Sequence, residues 1–192
     1  MRMRVDAQRN YERVLEAATA AFAKEGPEAS LNDIARRAGV GPGTLYRHFP
    51  NRQALQAAVL NERIEKLCGD AEELASHEPT AALTAWLRAL LVHARTDHGL
   101  GGAVLAGPVD LGFDCQQAIH RAGAALLTRA QRDGGIRADL DIDDVIQLVA
   151  GIALAARHGT DPEQPDRLLR FVTDAMRDPR EKRSTPSSSI AT

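Results

Sequence analysis

The sequence predicts an all-α chain of about nine helices, a small three-helix head followed by a longer helical body. Apolar residues recur at three- and four-residue steps along most of the 192 residues, and no stretch alternates with the period of a strand. Helix start signals (Ser, Asp or Asn, or an early Pro) and stop signals (Gly, or Pro after a basic last turn) punctuate those runs in the right order. No internal repeat is evident.

Met1 to Ala7 reads as a short flexible arm; Arg2 and Arg4 could reach a minor groove, although a frayed terminus is the simpler reading. Tyr11, Val14, Leu15, Ala18, Ala21 and Phe22 then define the first helix, closed by Lys24, Gly26 and Pro27. Ser30 caps a second helix whose Leu31, Ile34, Ala35 and Ala38 share one face. Gly39 ends it where positive φ is favoured, and Val40 plugs the corner. Pro42 sits at the first position of a third helix, in which Leu45 and Phe49 face inward and Thr44, Tyr46, Arg47 and His48 do not. Two short helices joined by a tight glycine turn, the second with a polar outer face, describe a helix-turn-helix that reads a DNA groove. Gly41, Pro42 and Gly43 carry so little side chain that backbone amides there could approach a phosphate. Asn51 caps the next helix and puts Arg52, another phosphate-type donor, in its first turn.

The string Ser30, Ile34-Ala35, Ala38-Gly39-Val40, Gly43-Thr44-Leu45-Tyr46, His48-Phe49 resembles the N-terminal DNA-binding domain of the TetR family of bacterial transcriptional regulators. The detailed likeness covers roughly the first quarter of the chain. It implies that Ser30, Thr44, Tyr46, His48 and Arg52 contact operator phosphates or bases and that Arg47 reads bases. Gly41 stands where many relatives carry a polar residue, and Arg52 where lysine is usual. The first departure removes a contact; the second keeps its charge.

The head is expected over 1–52 and the body over 53–178, bridged by a helix from Arg52 to about Ser76 that carries Leu55, Val59, Leu60, Ile64, Leu67, Ala71 and Leu74. A rigid helix in that place could transmit a tilt from body to head. Leu83, Trp86, Leu87, Leu90, Leu91 and Ala94 mark a helix from Thr80 to near Asp97. A short helix around Gly101 to Ala106 and a Gly107-Pro108 turn follow. Asp114 and Gln117 open a helix through Ala130, stopped by Gly134-Gly135. Asp141 caps a helix to about His158, with Leu140 and Val145 as its hydrophobic staple. The last helix runs from Pro165 to about Arg177, and 179–192 is expected to be disordered.

One head covers few base pairs, so two copies are expected to pair across a two-fold axis. The last two helices offer Val145, Leu148, Val149, Ile152, Leu168, Leu169, Val172 and Met176 for an intermolecular four-helix bundle, as the family resemblance also implies. The middle helices suggest a ligand-binding pocket drawn from Trp86, Leu90, His93, Leu105, Phe113, Ile119, His120 and Leu126. The expectation is a homodimer, most often a repressor, that binds a palindromic double-stranded DNA operator and is released by a small-molecule effector. A DNA-binding dimer whose body serves only dimerisation or a protein partner is the rival reading.

Charge distribution fits a DNA partner better than the net −2. Residues 1–66 carry 11 Lys and Arg against 8 Asp and Glu, while the remainder carries 13 against 18. A basic head can bind a phosphate backbone and an acidic body is held off it. The six histidines show no metal spacing, no nucleophile elbow or nucleotide loop occurs, and Cys68 and Cys115 read as buried thiols. An enzyme, a cofactor, a metal and a membrane span are therefore not expected, and the cytoplasm is the expected compartment.

Overall fold

The computed structural model describes residues 2–96, 115–157 and 159–178. Among them are eight helices: α1 Arg2–Glu25, α2 Leu31–Arg37, α3 Pro42–His48, α4 Arg52–Leu74, α5 Pro79–Thr96, α6 Cys115–Arg132, α7 Ile142–Ala156 and α8 Gln164–Met176. The only β pairing among the described residues is an isolated antiparallel bridge between Ile136 and Arg177. The short helix expected around Gly101–Ala106, the Asp114 cap and the 179–192 tail lie outside the described residues.

The helices fall into two compact units, residues 1–66 with 93–116 and residues 67–92 with 117–192. In the first, α1, α2 and α3 pack on one another around Val14, Ala18, Phe22, Ile34, Leu45 and Phe49, all at most 3% exposed. Leu55 and Val59 of α4 complete that core. Each fully buried aliphatic side chain of this size contributes about 1.5–3 kcal/mol. The flexible arm expected at Met1–Ala7 is corrected: α1 begins at Arg2. Its opening residues are helix formers without a breaker, and Gln8 Nε2 donates to Glu12 Oε1 at 2.9 Å one turn on.

In the second unit Leu83, Trp86, Leu87, Leu90 and Leu91 of α5 are buried together with Leu126 and Leu127 of α6. Trp86 is fully buried, and its indole Nε1–H donates to the Leu67 carbonyl at 3.1 Å. Its ring lies over bare backbone: a Cβ on Gly123 would fall 2.7 Å from Trp86 Cη2 and 2.9 Å from Ile142 Cδ1. α5 starts before Thr80, because Glu78 takes the capping role and Pro79 the first helical position. Burial alone would raise the Glu78 carboxyl, but the Thr80 and Ala81 N–H groups that donate to it, each at 2.7 Å, hold it below its ordinary range. Asp141 caps α7 as expected, accepting from the Asp143 N–H at 2.8 Å. No helix among the described residues is long and apolar enough to cross a membrane.

Candidate nucleic-acid interface and effector cavity

The corner between α2 and α3 is held from two sides. Ser30 caps α2 by accepting from the Asp33 N–H at 3.4 Å. At the other end Gly39 has φ +64°, and the Val40 N–H returns to the Ala35 carbonyl at 3.0 Å. Arg13 of α1 reaches across with Nη2, donating to the Ala38 carbonyl and to the Gly39 carbonyl, the latter at 2.9 Å. That guanidinium occupies the place a Gly39 side chain would need.

α3 stands out from this corner. Leu45 and Phe49 anchor it at 1% and 2% exposure, while Tyr46 and Arg47 are exposed and Thr44 is half-buried. Gly41, Pro42 and Gly43 are exposed, and a Cβ on either glycine would meet nothing within 4 Å. The protein itself therefore imposes no need for glycine there; the bare helix start leaves room for something outside. His48 is half-buried, its ring edge-on to Tyr11 with centroids 5.9 Å apart, and Tyr11 in turn lies on Phe49 at 5.0 Å.

Arg52 has intramolecular partners that the sequence expectation does not include. Its Nη1 donates to the carbonyls of Pro27 at 3.0 Å and Ala29 at 2.6 Å, and Nε lies 3.7 Å from Glu28 Oε2. Gln56 adds a donation to Pro27 at 2.8 Å. Arg52 therefore ties α4 to the α1–α2 turn, a role that helix periodicity does not register.

In the second unit, a cavity of about 540 Å³ opens between α4 and α6. Its apolar walls are Ala71, Ala75, Ala118, Ala122, Ala125 and Leu126; Cys68, Glu72, Arg121 and Arg129 supply the polar atoms. Of the residues expected to line a pocket, Leu126 alone is here. Trp86, Leu90 and Ile119 are core residues, at most 3% exposed. His93 belongs to the first unit, where burial foremost and the Arg63 charge secondarily push its pKa down to about 4, and its Nε2 is buried without a hydrogen-bond partner among the described residues. Leu105 and Phe113 lie outside the described residues. Cys68, expected buried, is half-exposed at the cavity wall, whereas Cys115 is buried.

A family model described as bacterial regulatory proteins of the tetR family matches residues 14–59, and one described as the C-terminal domain of SbtR-like transcriptional regulators matches residues 78–178, more than half of the chain. The chain belongs to the TetR family. A TetR transcriptional regulator of Streptomyces coelicolor is 38% identical, with 88% of this chain and 99% of that one aligned and a TM-score of 0.73. A TetR regulatory protein of Mycobacterium vanbaalenii is 36% identical over 92% of this chain and 99% of its own, with a TM-score of 0.70. An HTH-type transcriptional regulator of Staphylococcus aureus is 42% identical over 64 residues, 33% of this chain, and the match spans only 35% of that relative's length. The helix-turn-helix described above is thus the DNA-binding element of a TetR-family transcriptional regulator.

The apolar residues expected at this TetR protein's dimer surface divide in two. Val145, Val149, Ile152, Leu169 and Met176 are buried within their own unit, where α7 packs on α8. Leu148 remains 52% exposed, and Leu168 and Val172 are half-buried. Two residues missing from the sequence expectation join the outward side, Leu154 at 60% and Phe171 at 67% exposure. The correction is one of helical phase: the apolar stripe is wide enough for two faces, and its width alone does not divide them. An apolar side chain opposite the buried stripe, as Phe171 is, was the usable signal.

His120 also lies elsewhere than expected. Its Nε2 is 3.4 Å from Asp143 Oδ1, and His120, Asp141 and Asp143 each offer a ligand atom within 4.8 Å of the others. Such a trio could hold a divalent ion, but Asp141 already caps α7, and all three crowd the positive end of that helix, which disfavours a cation. The residues are 21 and 23 positions apart in sequence, so no local metal spacing could have shown the cluster.

Proposed function

We propose that this TetR-family regulator is a repressor that binds a palindromic operator as a homodimer and is released by a small molecule bound in its C-terminal unit. The observation that carries the DNA half is α3, with Tyr46 and Arg47 exposed above a fully anchored Leu45 and Phe49. Arg47 and Thr44 are the base readers in this proposal. Ser30, the bare Gly41-Pro42-Gly43 start, Tyr46 and His48 meet the backbone, and Arg52 acts both there and in bracing the α1–α2 turn. The exposed apolar side chains Leu148, Leu154 and Phe171 support pairing of two copies through α7 and α8, which would set two α3 helices at half-site spacing. The α4–α6 cavity supports the effector half, its volume lying within the range of about 300–1,000 Å³ that small-ligand sites occupy. The protein then acts in the cytoplasm, where its operator is.

Selection of bound genomic fragments followed by fluorescence polarisation tests this. Arg47→Ala is expected to change which fragments bind best, and Tyr46→Phe to weaken all of them about equally, by about 1 kcal/mol. The double change Leu148→Glu, Phe171→Glu should give a monomer by light scattering and cost most of the operator affinity. Loss of neither affinity nor preference in the two α3 variants would sink the assignment.

A further inference from the structure

The α4–α6 cavity has an unusual lining. Ala71 stands in the last turn of α4 and Ala75 just beyond its end; Ala118, Ala122 and Ala125 follow at four- and three-residue steps on α6. These alanine methyl groups, with Leu126, make up the apolar part of the lining and leave a slot between the two segments. The slot fits a single alkyl chain or the edge of a flat ring.

Its polar atoms ask for an acceptor. Arg129 is fixed, its Nη groups donating to the carbonyls of Leu74, Ala75 and His77 at the end of α4. Its Nε–H is buried and has no acceptor among the described residues. A buried donor without a partner is uncommon, and it marks the Arg129 guanidinium as a fixed charge at the cavity wall. Arg121, on the same lining, is exposed and makes no ion pair among the described residues. Against these two cations the lining holds one carboxylate, Glu72, so its net charge is +1. Burial keeps the Cys68 thiol neutral, with Glu72 opposing and Arg121 favouring ionisation, so it adds no charge.

We propose that this cavity binds a slender amphipathic monocarboxylate, its anionic head met by Arg121 and drawn by the fixed charge of Arg129, and its apolar chain lying between the alanine rows. This deepens, and rests on, the effector reading above, since it names the class of compound that would relieve repression. A monoanion matches the +1 lining; a neutral alcohol of the same length leaves Arg121 unpaired, and a dianion meets Glu72.

Straight-chain carboxylates from hexanoate to dodecanoate, with decanol as the neutral control, are the probes, and the full-length dimer is the sample. Binding is read by calorimetry, its place by protection of Cys68 from a thiol reagent, and its effect by polarisation of labelled operator. At least one carboxylate is expected to protect Cys68 and decanol to bind at least tenfold more weakly. Arg121→Gln, an exposed change that should leave the unliganded melting temperature unaltered, is expected to erase that preference. Ala125→Leu, which fills the slot, should abolish protection. Equal binding of decanoate and decanol, an unaltered preference in Arg121→Gln, or no protection by any member of the series would overturn the proposal. Protection with the expected preference but no loss of operator affinity would leave the anion site standing and refute the effector reading instead.

Discussion

The two units handle empty space in opposite ways. In the head, Gly41 and Gly43 face outward with nothing inside the protein near them, whereas in the body Gly123 faces inward and a tryptophan ring occupies the volume its side chain would take. The difference separates two reasons for a residue to be small: one makes room for a partner, the other for the protein's own core. The same change of glycine to a larger residue should therefore damage binding in one unit and folding in the other.

The largest expected effect is in the body. Gly123→Leu drives a branched side chain into Trp86 and Ile142 and should cost about 3 kcal/mol, read from urea unfolding; the fraction that remains folded should bind operator normally. Next comes His93. Its folded pKa of about 4 lies below the ordinary 6.5, so the unfolded chain binds the extra proton first. Stability is thus complete above about pH 6.5 and is lost as pH falls towards 4, by about 2 kcal/mol at pH 5. His93→Gln should flatten that part of the profile, and an unchanged slope would contradict the buried neutral ring. Gly39→Ala should cost about 1 kcal/mol, since alanine strains at positive φ and meets the Arg13 guanidinium. The smallest stability change belongs to Gly43→Ala, within about 0.5 kcal/mol of wild type, yet its operator affinity should drop. If Gly43→Ala binds DNA as well as wild type does, the contrast between outward and inward glycines loses its functional side.

The head was readable because its signals are local. Ser30, Gly39 and Pro42 each act on a backbone group within a few residues, and the inward pair Leu45 and Phe49 follows from helical phase alone. The body was readable as helices but not as sites. Trp86 has the composition of a pocket residue, and only the position of Gly123, 37 residues later, makes it core. The slot between α4 and α6 consists of alanines, the residue type least distinctive in a helical pattern, facing each other from about 50 positions apart. The outward position of Phe171 follows only once Leu169 and Met176 take the buried face of α8. Arg52 illustrates the same limit within the head, since its carbonyl partners at Pro27 and Ala29 are set by tertiary packing.

Arg13 grips the α2–α3 corner from α1, at the Ala38 and Gly39 carbonyls, which precede α3. The recognition segment is consequently an interchangeable part. Under the proposed assignment, Thr44 and Arg47 can be rewritten to suit a new operator while the bracket that aims them stays untouched, so drift in target sequence and preservation of the scaffold are uncoupled problems for this protein.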